Sequence, residues 1–266
     1  MYMKALRNIM ALTGREIKSY FISPIAYVTL MIFLLLTGYF FYAGLIEFGR
    51  RLQYYQNIAQ AFKNPEILAQ INLNSTVIAN VLFNMIFVFL FVIPLLTMRS
   101  FAEERKNKTE ELLMTSPITI NQIITGKFLG AFLFAMIMIL PTVIYQILLF
   151  KYAKPEIGPV ITGYIGIVLF LVISISIGLF TSSLTENQII AAVVSFVMLL
   201  FLFIISMLGG SEGTILSSVV TYLSVTEHIR NFIKGLIDFR DIVYFVSMAA
   251  FFIFLTKRSV ESIRWR

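Results

Sequence analysis

Six stretches of this sequence, at about 24–46, 77–98, 123–150, 159–181, 188–209 and 241–256, consist almost entirely of apolar and small residues. Each is of a length to cross the hydrocarbon core of a bilayer, which takes roughly 20 residues of α-helix. No Lys, Arg or His falls in the middle of a stretch, and the nearest acid is Asp241, at the start of the last one. A soluble domain has about 25% charged residues. This chain has 13%, against 59% hydrophobic residues, so too little polar surface is left to face water on every side. Lipid must be the solvent. The fold class expected is an all-α membrane protein, a single unit over residues 1–266 with six transmembrane helices.

The segments between the spans have their own patterns. In residues 1–20, Leu6, Ile9, Met10 and Ile17 recur at helical spacing among Lys4, Arg7, Arg15 and Lys18. That pattern predicts an amphipathic helix lying in the interface, its basic side toward lipid headgroups. The first apolar run begins near Phe21, is too long for a signal-peptide core and lacks a small-residue cleavage site, so it reads as a retained helix. Residues 47–76 read as a helical, amphipathic outer segment with Tyr54, Tyr55, Phe62 and Leu68. Residues 210–240 open with Gly-Gly-Ser-Glu-Gly and read as too polar and broken to cross; a pair of short interfacial or re-entrant outer helices between spans 5 and 6 fits them best, and a seventh span, which would put the tail outside, is the competing reading. Pro141 predicts a kink in span 3. Ser174, Gly178 and Ser182 recur every fourth position of span 4, a row of small residues that permits close helix packing, within the chain or at a dimer seam.

Charge sets the expected orientation. Thirteen of the 21 Lys and Arg residues lie in the N-terminal arm, the 99–127 loop and the tail, which share one side when six spans cross. By the positive-inside rule both termini are cytoplasmic.

Several chemistries are disfavoured. The chain has no Cys, hence no disulfide framework or thiolate metal site. His228 is the single histidine, which leaves no His-based metal cluster. Absence of ionisable groups mid-span counts against a proton-coupled transporter or cation channel. Gly126-Lys127 looks like the end of a phosphate-binding loop, but Asn121 stands where its first glycine belongs and Phe128 where Ser or Thr should hold magnesium. No catalytic residue, bound cofactor or metal ligand is expected on this chain, and no nucleic-acid partner.

The densest charge cluster lies between spans 2 and 3, in MRSFAEERKNKTEELLMTSPITINQIITGKFLG. Glu104–Lys108 and Lys106–Glu110 have the four-residue spacing that supports a helix. Apolar Leu112, Leu113 and Met114 follow, and Ser116-Pro117 stops the run. The segment reads as a short amphipathic surface helix, either a solvated joint or a docking contact for a soluble partner.

From Arg99 to Lys127 the sequence resembles the ABC-2 class of ABC transporter permeases, through AEER at Ala102–Arg105, TEELLMTSPI and GKFLG. The likeness continues in YFISPIAYV at Tyr20–Val28, in LFTSSLTENQIIAAVVSF at Leu179–Phe196 and in the closing DFRDIVYFVSMAAFFIFLTKRSVESIRWR. It is strongest to the bacterial subgroup that includes gliding-motility-type permeases. The resemblance implies six spans, an N-terminal interfacial helix, a cytoplasmic coupling helix and short outer helices between spans 5 and 6. It implies two permease subunits, identical or paralogous, paired with two cytosolic ATPase subunits that hold ATP and Mg, in contact with lipid of a bacterial inner membrane. By the same analogy Phe101–Pro117 contains the coupling helix: Glu103, Glu104, Arg105, Glu111, Leu112 and Leu113 touch the ATPase, and Thr109, Thr115, Ser116 and Pro117 shape the following turn. Export is the activity implied. The alternatives are a mechanical or signalling subunit acting on periplasmic partners, and a transporter that needs no ATPase.

Overall fold

A computed structural model describes residues 2–64, 66, 72–109, 118–153, 155–208 and 215–263, and all regular structure among them is helical. Among the described residues, six helical segments are long and apolar enough to cross a membrane. In chain order the helices are α1 (Tyr2–Ile22), α2 (Pro24–Phe62), α3 (Ala79–Thr97) and the short α4 (Ala102–Lys106). Then come α5 (Ile120–Ile139), α6 (Val143–Tyr152), α7 (Ile157–Leu184) and α8 (Gln188–Ile204). Two short helices, α9 (Ile215–Leu223) and α10 (Val225–Ile233), precede the last span, α11 (Phe239–Ile263).

Local sequence explains the boundaries. Pro24 opens α2 at a position whose N–H has no partner within the helix, and its fixed φ suits that position. The helix then runs 39 residues, to Lys63 in the left-handed region just before Asn64. At about 1.5 Å per residue this far exceeds a hydrocarbon core of about 30 Å. Residues 47–62, read from sequence as a separate outer segment, therefore continue span 1 as one rod. No proline interrupts them, and Glu47 accepts a 2.8 Å bond from Arg51 one turn on. Residues 67–71 of that expected segment lie outside the described residues. In span 3, Pro141 has no N–H to donate, and a 3-10 turn at Leu140–Thr142 separates α5 from α6.

α3 and α7 are innermost, with 67% of their most apolar stretch buried, against 22% for α2. α7 packs on α3, α8, α10 and α11, and fully buried Phe89, Ile93, Ile167 and Leu171 belong to this shared core. Its small residues set the spacing to α3: Gly178 lies against the Thr97 side chain, and Ser174 and Ser182 are buried. Ser182 Oγ donates to Met98 O at 2.9 Å and accepts from the N–H groups of Phe101 and Ala102 at 3.0 and 3.1 Å. Span 4 thereby holds the backbone that leaves span 2.

At the opposite end, a buried cluster ties the short helices to span 6. His228 Nδ1 and Asp241 Oδ1 share a 2.6 Å hydrogen bond, His228 Nε2 donates to Tyr222 O at 2.8 Å, and Asn231 Nδ2 donates to Asp241 Oδ2 at 2.9 Å. The imidazole also stacks on Tyr244, with centroids 4.0 Å apart. Asp241, noted above as the acid nearest a span, thus helps hold the structure together.

Candidate functional site

The site forms where α1, α4 and the start of α5 meet. Thr119 opens α5 with a reciprocal cap: its hydroxyl accepts the Gln122 N–H, and the Gln122 side chain accepts the Thr119 N–H. Because the helix begins at Ile120, Lys127 falls in its third turn rather than in the preceding loop. Only 2% of that residue is exposed. The Thr119 cap starts the span three residues before the expected 123, and Lys127, counted by charge with the 99–127 loop, is packed inside the fold.

α1 covers the lysine by lying directly on α5. A Cβ built on Gly126 would sit 2.6 Å from Leu12 Cβ, and one on Gly130 would sit 2.5 Å from Glu16 Cβ. Two glycines one helical turn apart thus create the groove that Leu12 and Glu16 fill. Thr13 Oγ1 reaches Gly126 O at 3.4 Å, Asn8 Nδ2 donates to Gln122 Oε1 at 3.3 Å, and Tyr20 stacks on Phe134 with centroids 5.0 Å apart.

Inside this seam Lys127 Nζ lies 3.1 Å from Glu16 Oε1 and 2.8 Å from Glu104 Oε1, donates to the Ser100 carbonyl, and sits 5.1 Å from the centre of the Phe101 ring. Arg15 Nη2 completes the network, 2.8 Å from Glu104 and 3.3 Å from Glu16. Burial, with the Glu16 carboxylate beside it, pushes the Tyr20 hydroxyl well above its usual range, so it stays a neutral phenol. Charge balances within the cluster, and breaking a buried ion pair by removing one partner costs about 3–5 kcal/mol. The arrangement ties three segments far apart in sequence into one body.

The proposed coupling residues are spread across this junction. Phe101 is buried, Glu103 is half-buried, Glu104 is held by Lys127 and Arg15, and Arg105 follows on α4. Thr109 donates to Glu104 O at 3.3 Å, just past α4. Glu111, Leu112, Leu113, Thr115, Ser116 and Pro117 lie outside the described residues, as does Glu110. The helix expected to run through Lys108 ends at Lys106, because Lys108 adopts a left-handed φ of 54°. Glu104 consequently pairs across the fold with Lys127 and not along its own helix with Lys108. What sequence reading missed was the role of GKFLG: two glycines at helix-contact spacing, with the only cation of the early third span between them.

Six spans, with charge gathered into a junction at one end, define a multi-pass membrane protein and fit a non-catalytic transmembrane subunit. A family model described as ABC-2 family transporter protein matches residues 10–255. The chain belongs to that family, as a permease component of an ABC transporter, and the family implies pairing with an ABC ATPase. No curated protein matches the sequence.

Proposed function

We propose that this chain forms the membrane path of an ATP-driven exporter in a bacterial inner membrane. Two permease subunits, identical or paralogous, pair with two cytosolic ATPases that bind ATP and Mg. The loop Phe101–Pro117 receives their motion. The observation that carries this reading is the ion-paired seam: Lys127 joins the start of span 3 to the segment leaving span 2 and to the N-terminal helix. A displacement at the loop therefore moves α1 and span 3 together instead of being absorbed by a flexible linker. Switching a path from 1:99 to 99:1 takes about 5.5 kcal/mol of differential binding, which ATP-bound partners supply. Within the loop, Phe101 and Glu104 act as the inner anchor, and Leu112 and Leu113 as the contact offered to the ATPase.

Two sets of substitutions test this assignment. Leu112→Ala with Leu113→Ala should lose capture of the ATPase, whereas Glu104→Gln should keep capture and lower permease-stimulated ATP hydrolysis. Unchanged capture and unchanged transport in both would remove the loop as the docking site.

The long projection of α2 favours one second reading, a mechanical or signalling subunit that works on partners at the far face, as in gliding-motility-type permeases. ATPase stimulation separates the two: an exporter responds to its solute, and a mechanical subunit responds only to protein partners.

A further inference from the structure

Between α1, the first turn of α2 and the end of α3 lies a cavity of about 630 Å³. It sits where the apolar runs of spans 1 and 2 give way to the last turns of the amphipathic α1, a pattern that suits the depth of lipid headgroups. Its walls are of two kinds. Ile25, Ala26, Leu95 and Leu96 supply apolar surface, and six charged side chains stand among neutral polar residues on the rest. Four of those, Arg15, Glu16, Glu104 and Lys127, neutralise one another. The remaining two, Arg99 and Glu103, make no ion pair among the described residues.

Their placement is specific. Glu103 N donates to Arg99 O at 3.3 Å, so the turn that leads into α4 brings the two residues to one wall of the cavity. Arg99 Nη1 donates to Ser23 Oγ at 2.8 Å, and Arg99 Nε is buried with no hydrogen-bond partner. A guanidinium and a carboxylate, adjacent but unpaired beside an apolar wall, are complementary to a single molecule carrying an anion, a nearby cation and a hydrocarbon tail. We propose that the cavity holds the headgroup of one bilayer phospholipid with a primary amine, its phosphate on Arg99 and its ammonium on Glu103.

The chemistry predicts which headgroups are excluded. Charge-assisted bonds from a guanidinium to phosphate and from an ammonium N–H to a carboxylate are stronger than neutral ones. A glycerol headgroup satisfies Arg99 but leaves Glu103 facing an anion without a counter-charge. A choline headgroup has the positive charge but no N–H to donate. The bound lipid then wedges α1 against spans 1 and 2, beside the Lys127 seam, and this role stands independently of which partner the loop engages.

The full-length chain, reconstituted in vesicles of equal parts phosphatidylethanolamine, phosphatidylglycerol and phosphatidylcholine, is extracted and examined by native mass spectrometry. One phosphatidylethanolamine should be retained at least about tenfold over the other two, a preference worth about 1.4 kcal/mol. Glu103→Gln should bring the three lipids close to parity, and Arg99→Gln should abolish retention. If Arg99→Gln fails to fold, the selectivity of Glu103→Gln decides alone. Retention of no lipid, or the same preference in the wild type and Glu103→Gln, overturns the proposal. So does release of the lipid upon addition of ATPase and ATP, which would make it cargo. Absence of lipid together with weakened ATPase capture by both variants would assign the cavity to the partner protein, and likewise overturns it.

Discussion

Lys127 shows how one side chain can organise a membrane-protein junction. A lysine placed two turns into a span is costly in isolation, yet here two carboxylates, a carbonyl and a ring face surround it. Lys127→Met should lower stability by about 3–5 kcal/mol, because Glu16 and Glu104 lose their buried counter-ion and share only the half-exposed Arg15. Adding Glu16→Gln and Glu104→Gln should restore part of that loss, since an apolar or neutral replacement of a whole buried network is often tolerated. Thermal unfolding of the purified chain measures both, and no recovery in the triple variant would mean that packing, not charge, explains the lysine. Arg15 is a different case. Its side chain is 51% exposed, so Arg15→Ala should cost only about 0–1 kcal/mol despite its 2.8 Å bond to Glu104.

Among the elements, the α1–α5 seam and the α10–α11 cluster decide what is held and where. Gly130→Leu should push α1 off α5, because its Cβ alone meets the Glu16 Cβ, and overpacking of this kind costs about 1–3 kcal/mol. The chain has no cysteine, so a disulfide introduced through Asn8→Cys and Gln122→Cys reports the seam cleanly. The crosslink should form in the parent and fail with Gly130→Leu; equal yields would place α1 elsewhere. At the other end, His228→Ala removes one partner of the buried pair with Asp241. Amide exchange should then rise in α9 and α10 while α3 and α7 keep their protection. Amphipathic patterning foretold α1, and the broken polarity after span 5 foretold the two short helices. Where span 1 ends was not legible, because its apolar run fades near residue 46 while the helix continues on polar residues that need no buried face.

For the whole molecule, charge asymmetry and the contact pattern meet. Ser259 Oγ on α11 donates to Ser183 O at 3.0 Å, and Ser182 beside it binds the segment leaving span 2. The C-terminal end of span 6 therefore stands at the same end of the bundle as the Lys127 seam. With the basic loops inside, Gln53→Cys on the projecting part of α2 should react with a membrane-impermeant thiol reagent applied to whole spheroplasts, and Asn8→Cys should react only after lysis. The reverse pattern would invert the topology. A helix of 39 residues also gives the assembly reach beyond the far side of the bilayer, where the mechanical reading would seek its partners.

Sequence by itself determined the solvent, the number of spans and the family, because apolar length and charge depletion are properties of the chain that lipid reads directly. It also marked the loop after span 2 as the place where charge concentrates. It did not reveal that Glu104 turns inward, that Lys127 is buried, or that Arg99 and Glu103 share a cavity wall without pairing. Those outcomes depend on α1 folding back over α5, a contact between residues more than a hundred positions apart. Helical spacing tells which side chains share a face; only packing decides which opposite charge they meet and how much water is left between them.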